Sequence, residues 1–351
     1  MVVFRYNYLK ESIMTQYLKS LIASVAAILT FLGIFTASPY DKPIDPENGG
    51  DPFIVEADGE FYYTHTTGGG IDIKQIESSD DATVIRQKTV FRAGENGTAG
   101  DIWAPEIHKI GDRWYIVSCG RFAESAVPPG TMPDGKENDI RADYYRYSFV
   151  LQSKTEDIYS EYEFMGILAP DGLNTIDGTY LQKGGKLYFV YSAYMYTGYQ
   201  NLQICEMENP YTLKTDENGK TDCVILSKPT LPWEKKGWSV NEAPAVLYNG
   251  DDIFLLYSAS GFSSDHYCLG MLTLKGDDVM NPKHWSKSLT RVMYHQPLRE
   301  IYSPGHCSFL YRENGEVYMV YHANTTFKFS DSPRLTYVKP VEFRFGKPSF
   351  R

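Results

Sequence analysis

One short pattern recurs five times along the chain, and it limits the fold more than any other feature. It reads GEFYYTHT at 59–66, GDRWYIVS at 111–118, GKLYFVYS at 185–192, DDIFLLYS at 251–258 and GEVYMVYH at 315–322. Each copy is a turn residue or pair followed by aromatic and β-branched residues, which predicts the second strand of a hairpin. The copies begin about 52, 74, 66 and 64 residues apart, room for a four-stranded sheet with its turns. Turn signals are dense (Asn96-Gly97, Asp134-Gly135, Asn218-Gly219, Asn249-Gly250, Asn314-Gly315), and no long amphipathic helix pattern interrupts them. Units of this kind cannot bury both faces alone, so they stack radially. The expectation is an all-β chain, a five-bladed β-propeller over residues 39–351, at roughly 62 residues per blade. A two-sheet sandwich would leave the repeat unexplained.

Just upstream of each hairpin stands a chemically loaded residue. Asp51 precedes Gly59 by eight positions, Trp103 precedes Gly111 by eight and Asp177 precedes Gly185 by eight. Glu242 precedes Asp251 by nine, and His306 precedes Gly315 by nine. If that spot begins the innermost strand, three carboxylates, an indole and an imidazole converge on one axis. Turns also favour Asp, so any one of these residues alone could be structural. The set at equivalent positions points to general acid–base hydrolysis, with a third carboxylate keeping the acid protonated by repulsion.

Bulk properties narrow the substrate. A net charge of −10 and a pI near 5.3 repel polyphosphate and acidic polysaccharide, which excludes nucleic acid and favours a neutral partner. Tyr occurs 28 times, enough to serve both strand packing and a wet, sugar-lined cleft. Residues 1–38 read differently. The apolar run Leu21–Phe35 follows Lys19 and precedes Thr36-Ala37-Ser38, too short for a membrane span and suited to a signal-peptide core. Met14 is an alternative start, and an uncleaved N-terminal anchor is the rival reading. The expected location is therefore secreted, extracellular or periplasmic, with no stable membrane span once the leader is removed. Of five cysteines, Cys205 and Cys223 flank a turn-rich stretch and could bridge, with independent buried thiols an equal alternative. No CxxC pair suggests a zinc cage.

At these residues the chain resembles glycoside hydrolase family 43. The strings GGDP, DIWAPEIH, IDGTYL, NEAPAVL, FSSDHYCLGML (262–272) and SPGHCSF carry the resemblance, which runs from about Gly49 to about Val341. Their ordered set is most similar to the exo-acting α-L-arabinofuranosidase branch that trims α-1,5-arabinan. The resemblance implies a five-bladed propeller with an inverting mechanism and a neutral plant cell-wall substrate, arabinan or arabinoxylan. It implies Asp51 as general base, Glu242 as general acid and Asp177 as the residue that tunes and orients the acid. No cofactor is implied for the chemistry. His306 matches a histidine low in the central channel, near a water or a bound cation, often calcium. Trp103 matches a residue at the terminal sugar. Where the family often has Glu-Gly-Pro, this chain has Glu242-Ala243-Pro244, so the backbone there is not expected to need a positive φ.

Further residues carry weaker expectations. Asp265 and His266 could line the site from a loop, and Arg334 near the last strand could reach sugar hydroxyls. Asp101 could contact substrate or serve a turn, and Glu106 reads as an exposed structural position. The segment 121–147 could form a rim. Asn96 and Asn324 begin glycosylation sequons. The alternatives within the family are a β-xylosidase and an endo-arabinanase. A binding-only propeller would have lost a catalytic position, whereas all three acids are present. A retaining fructan-cleaving propeller would need a string like NDPNG where this chain has ENGGDPF.

Overall fold

A computed structural model describes residues 16–25, 27, 28, 30, 38–133, 145–195, 199–327 and 333–350. The Asp134-Gly135 turn and the middle of the 121–147 segment lie outside them. No described helix is long and apolar enough to cross a membrane.

Five antiparallel sheets of three to five strands follow one another in chain order, and Glu342–Arg344 pairs with Lys347–Ser349 in a further two-stranded sheet. Their inner strands are Phe53–Ala57, Thr98–Ile110, Ile176–Lys183, Asn241–Asn249 and Tyr302–Tyr311. The five repeats form the strands beside them: Glu60–Thr64, Arg113–Phe122, Lys186–Met195, Asp252–Ala259 and Val317–Asn324. All five lie second in their sheets, as the sequence predicts.

Residue alternation explains why the repeat is apolar throughout. Successive strand side chains point to opposite faces. In the third repeat, Tyr188 and Val190 pack with the fourth blade, while Phe189 and Tyr191 pack with the second. The fourth repeat divides likewise, with Ile253, Leu255 and Tyr257 toward blade three and Phe254 and Leu256 toward blade five. Five apolar clusters fill the five junctions between neighbouring blades, including the one joining blade five to blade one. The ring is closed, which excludes the sandwich.

The closure is built from the chain's two ends. Blade five has three strands of its own, and the segment before Asp51 adds to its outer edge. Asp45 bridges Thr336, Ile44 N–H donates to the Thr336 carbonyl (2.8 Å), and Gly49 N–H donates to that of Arg334 (2.8 Å). A Cβ on Gly50 would fall 2.7 Å from the Arg334 guanidinium carbon, so a side chain there would push Arg334 out of place. The seam thereby brings Asp51 and Arg334 together across 283 residues.

Away from the carboxylates, the inner strands of all five blades line a cavity of about 500 Å³ along the axis. In blade three, Cys205 and Cys223 form a disulfide that joins adjacent strands, while Cys119, Cys268 and Cys307 are buried thiols. Of the two sequons, Asn96 is exposed, but Asn324 is buried within a strand and closed to glycosylation in the folded chain.

Candidate active site

Each blade's inner strand turns at an equivalent residue with left-handed backbone. That residue is Asp51 (φ 59°), Ala104 (47°), Asp177 (52°), Ala243 (49°) and His306 (42°). Pairing with the second strand slips at the turn in blades two to five. Such bulges re-aim side chains. Pro52, Pro105 and Pro244 follow the turn in blades one, two and four. An inner strand's axial edge has no neighbour, so a residue without an N–H is tolerated there.

Two expectations are corrected by this geometry. Trp103 and Glu242 precede the turn residue by one, so the five loaded residues occupy two adjacent positions rather than one. Ala243 does adopt a positive φ, at a strain of about 1 kcal/mol for a residue with a Cβ.

Asp51 is almost fully buried and is surrounded by donors. Its Oδ1 accepts from Arg334 Nη1 (2.9 Å) and lies 3.1 Å from His306 Nδ1, while Oδ2 accepts from the Thr66 hydroxyl (2.7 Å). Burial alone would raise its pKa, but Arg334 and His306 outweigh it and hold the carboxyl well below its usual value. Burial also opposes charge on His306, yet Asp51, Asp177 and Glu242 raise its pKa to about 9. His322 behaves oppositely. Its Nδ1 accepts the Asp51 N–H (3.1 Å), which requires an unprotonated nitrogen, and burial with nearby Arg334 pushes its pKa down to about 4.

Glu242 is equally buried, but its partners are neutral. Gln200 Nε2 donates to Oε2 (3.0 Å) and the Tyr267 hydroxyl donates to Oε1 (2.8 Å). Burial, then the charge of Asp177, raises its pKa to about 8. Asp177 is raised by burial, Asp51 and Glu106 to about 6, opposed by His306 and by the Ala243 N–H donated to its Oδ2 (3.2 Å). At neutral pH the arrangement holds one carboxylate ionised and another protonated, the division of labour that acid–base hydrolysis needs.

The remaining expected residues fall into two groups. Arg334 and His306 meet Asp51 directly. Trp103 is half-buried beside the cluster, its ring under the Arg146 guanidinium carbon at 4.3 Å. Asp101 pairs with Arg146 (2.8 Å) and Arg121 (3.2 Å), which locks that support. Asp265 and His266 are exposed on a loop next to His295. From their segment it is Tyr267 that faces Glu242. Glu106 is buried, not exposed, and its Oε2 lies 2.8 Å from His108 Nε2.

The sequence reading missed Thr66, Gln200, Tyr267 and His322. Two of them gave a signal, Thr66 and His322, which end the first and fifth repeats where the second, third and fourth end in Ser. Gly305 gave an indirect one, since a Cβ there would lie 2.1 Å from the Tyr267 ring.

A match to the model described as Glycosyl hydrolases family 43 spans residues 40–348. The chain belongs to glycosyl hydrolase family 43. This family 43 hydrolase is 30% identical over 316 residues to an extracellular exo-α-(1→5)-L-arabinofuranosidase of Streptomyces chartreusis, covering 86% of this chain and 88% of that protein. It is 27% identical to α-L-arabinofuranosidase B of Pyricularia oryzae, covering 86% of this chain but 60% of that protein. It resembles the crystal structure of an α-L-arabinofuranosidase from Lactobacillus brevis at 29% identity and TM-score 0.75, covering 90% of this chain and 98% of that one.

His306, the residue expected to lie near a channel cation, directs Nδ1 to Asp51 Oδ1 at 3.1 Å. Among the described residues no three of His, Cys, Asp and Glu are grouped to hold a metal.

Proposed function

We propose that this family 43 hydrolase removes terminal α-L-arabinofuranosyl residues, with inversion, from α-1,5-arabinan or its oligosaccharides. Two equally buried carboxyl groups with opposite pKa shifts carry the reading. Asp51 takes a proton from water as the water oxygen bonds to C1 of the sugar. The bond from C1 to the glycosidic oxygen breaks, and that oxygen takes the proton of Glu242. Asp51 ends protonated and Glu242 ionised, and solvent exchange restores both. Asp177 repels charge on Glu242, and its bond to the Ala243 amide fixes the turn next to the acid.

His306 orients Asp51, and Arg334 reaches from Asp51 toward the sugar hydroxyls. Trp103 offers a face to the terminal sugar, and Asp265 and His266 are assigned to the rim. The relatives named as arabinofuranosidases support the choice of sugar. They support a plant polysaccharide, arabinan or arabinoxylan, as partner. An extracellular relative supports residues 1–38 as a leader and 39–351 as the exported catalytic domain.

The test is a product profile on linear arabinan with proton NMR of the first-formed anomer. The expected result is arabinose alone, released with inverted configuration. A ladder of oligomers would replace exo by endo action, and a preference for aryl xyloside would replace the sugar. A retained anomer would contradict Asp51 as base.

A further inference from the structure

We propose that Trp238, backed by Phe262, is a binding platform for the leaving-group side of a furanose oligosaccharide. The inference rests on the arabinofuranosidase reading above and adds a subsite to it.

Trp238 keeps 58% of its surface exposed and Phe262 keeps 42%, an unusual exposure for two large rings in contact. Their centroids lie 6.1 Å apart with the planes at 48°. Trp238 is not a loose surface residue. Its ring lies over Gly261, where a Cβ would come within 3.1 Å of the indole. Its loop is tied down on both sides, by Gly261 N–H to the Lys236 carbonyl (2.9 Å) and by Gln200 N–H to the Ser239 carbonyl (3.0 Å).

That second tie places the platform. The same Gln200 donates its side-chain amide to Glu242, and Trp238 precedes Glu242 by only four residues. On the other side, the Arg334 guanidinium carbon lies 6.0 Å from the Phe262 centroid, and Arg334 holds Asp51. The rings therefore flank the mouth next to the acid. A leaving oxygen that takes its proton from Glu242 carries its remaining sugars out past this side. Indole presents an apolar, electron-rich face, to which the polarised C–H face of a neutral sugar is complementary. A rigid, partly exposed ring loses little conformational freedom on binding, so little of the contact is offset.

Comparing two leaving groups tests the platform. α-L-Arabinofuranosyl fluoride ends at a single atom and cannot reach Trp238, whereas arabinotriose can. Trp238→Ala is expected to lower kcat/KM on arabinotriose about tenfold, or about 1.4 kcal/mol, and on the fluoride less than twofold. Trp238→Phe, which keeps a flat ring, is expected to recover most of the loss and so separates stacking from misfolding. Equal losses on both substrates, or no loss on arabinotriose, would overturn the platform while leaving the arabinofuranosidase reading intact. Wild-type protein that cleaves neither substrate would overturn both.

Discussion

Asp51 and Glu242 face the same funnel and are buried to the same extent, at 9% and 8% exposure, yet their surroundings are opposites. Around Asp51, blade five supplies a guanidinium and a charged imidazole. Around Glu242, blades three and four supply an amide, a phenol and the repulsion of Asp177. Burial is common to both and cannot set their roles. The cations decide, because opposite charge at about 3 Å in a low-dielectric site outweighs desolvation. Asp51 lies at the seam where the chain's ends meet, while Glu242 lies in continuous sheet.

The comparison breaks most visibly if either partner is removed. Asp51→Asn and Glu242→Ala should each lower kcat on arabino-oligosaccharides by about 10³ to 10⁴. They should differ on arabinofuranosyl fluoride, whose leaving group needs no proton. Glu242→Ala should recover much of its loss there and Asp51→Asn none, measured by fluoride release.

Removing the cation tests why Asp51 stays ionised. Arg334→Met should lower kcat/KM by about 10- to 100-fold, because Asp51 loses both a charge-assisted bond and its orientation. It should also move the acidic limb of the pH profile upward, since a base with a raised pKa is protonated at higher pH. A loss of rate with an unmoved acidic limb would assign Arg334 to the substrate alone.

Tyr267→Phe probes the other side more gently. The phenol stabilises ionised Glu242, so its removal should raise the acid's pKa. The basic limb, where a general acid fails as pH rises through its pKa, should shift to higher pH with a change of a few-fold in kcat.

A stability effect follows from the same asymmetry. Glu242 has its ordinary pKa in the unfolded chain and about 8 when folded. Folding thus takes up a proton between those values, and stability falls as pH rises through that window. Glu242→Gln should remove this dependence and melt higher than wild type at pH 7. Smallest is Ala243→Gly, which relieves a positive φ at a cost in unfolded-chain entropy and should change stability by under about 1 kcal/mol.

The sequence carried the fold almost completely, because a repeat that buries both faces writes a continuous apolar run five times. It also marked the three carboxylates, which stand eight or nine residues before their repeats. The partners that separate their pKa values were not legible. Gln200 reaches Glu242 over 42 residues, Tyr267 over 25, and His322 reaches Asp51 over 271, and no local pattern encodes such contacts. Glu106 was misread because alternation predicts an exposed face only where a strand has one, and inner strands near the axis do not. Ala243 was misread because glycine is taken as the marker of left-handed backbone, whereas here the bulge imposes it on alanine and aspartate alike.

Carbon-13 NMR of side-chain carboxyls, with Glu242→Gln and Asp51→Asn used to assign the two resonances, tests the central claim most directly. Glu242 is expected to titrate near pH 8, and Asp51 to remain ionised well below the usual aspartate range. A Glu242 midpoint near 4, or an Asp51 midpoint above that of Glu242, would contradict it.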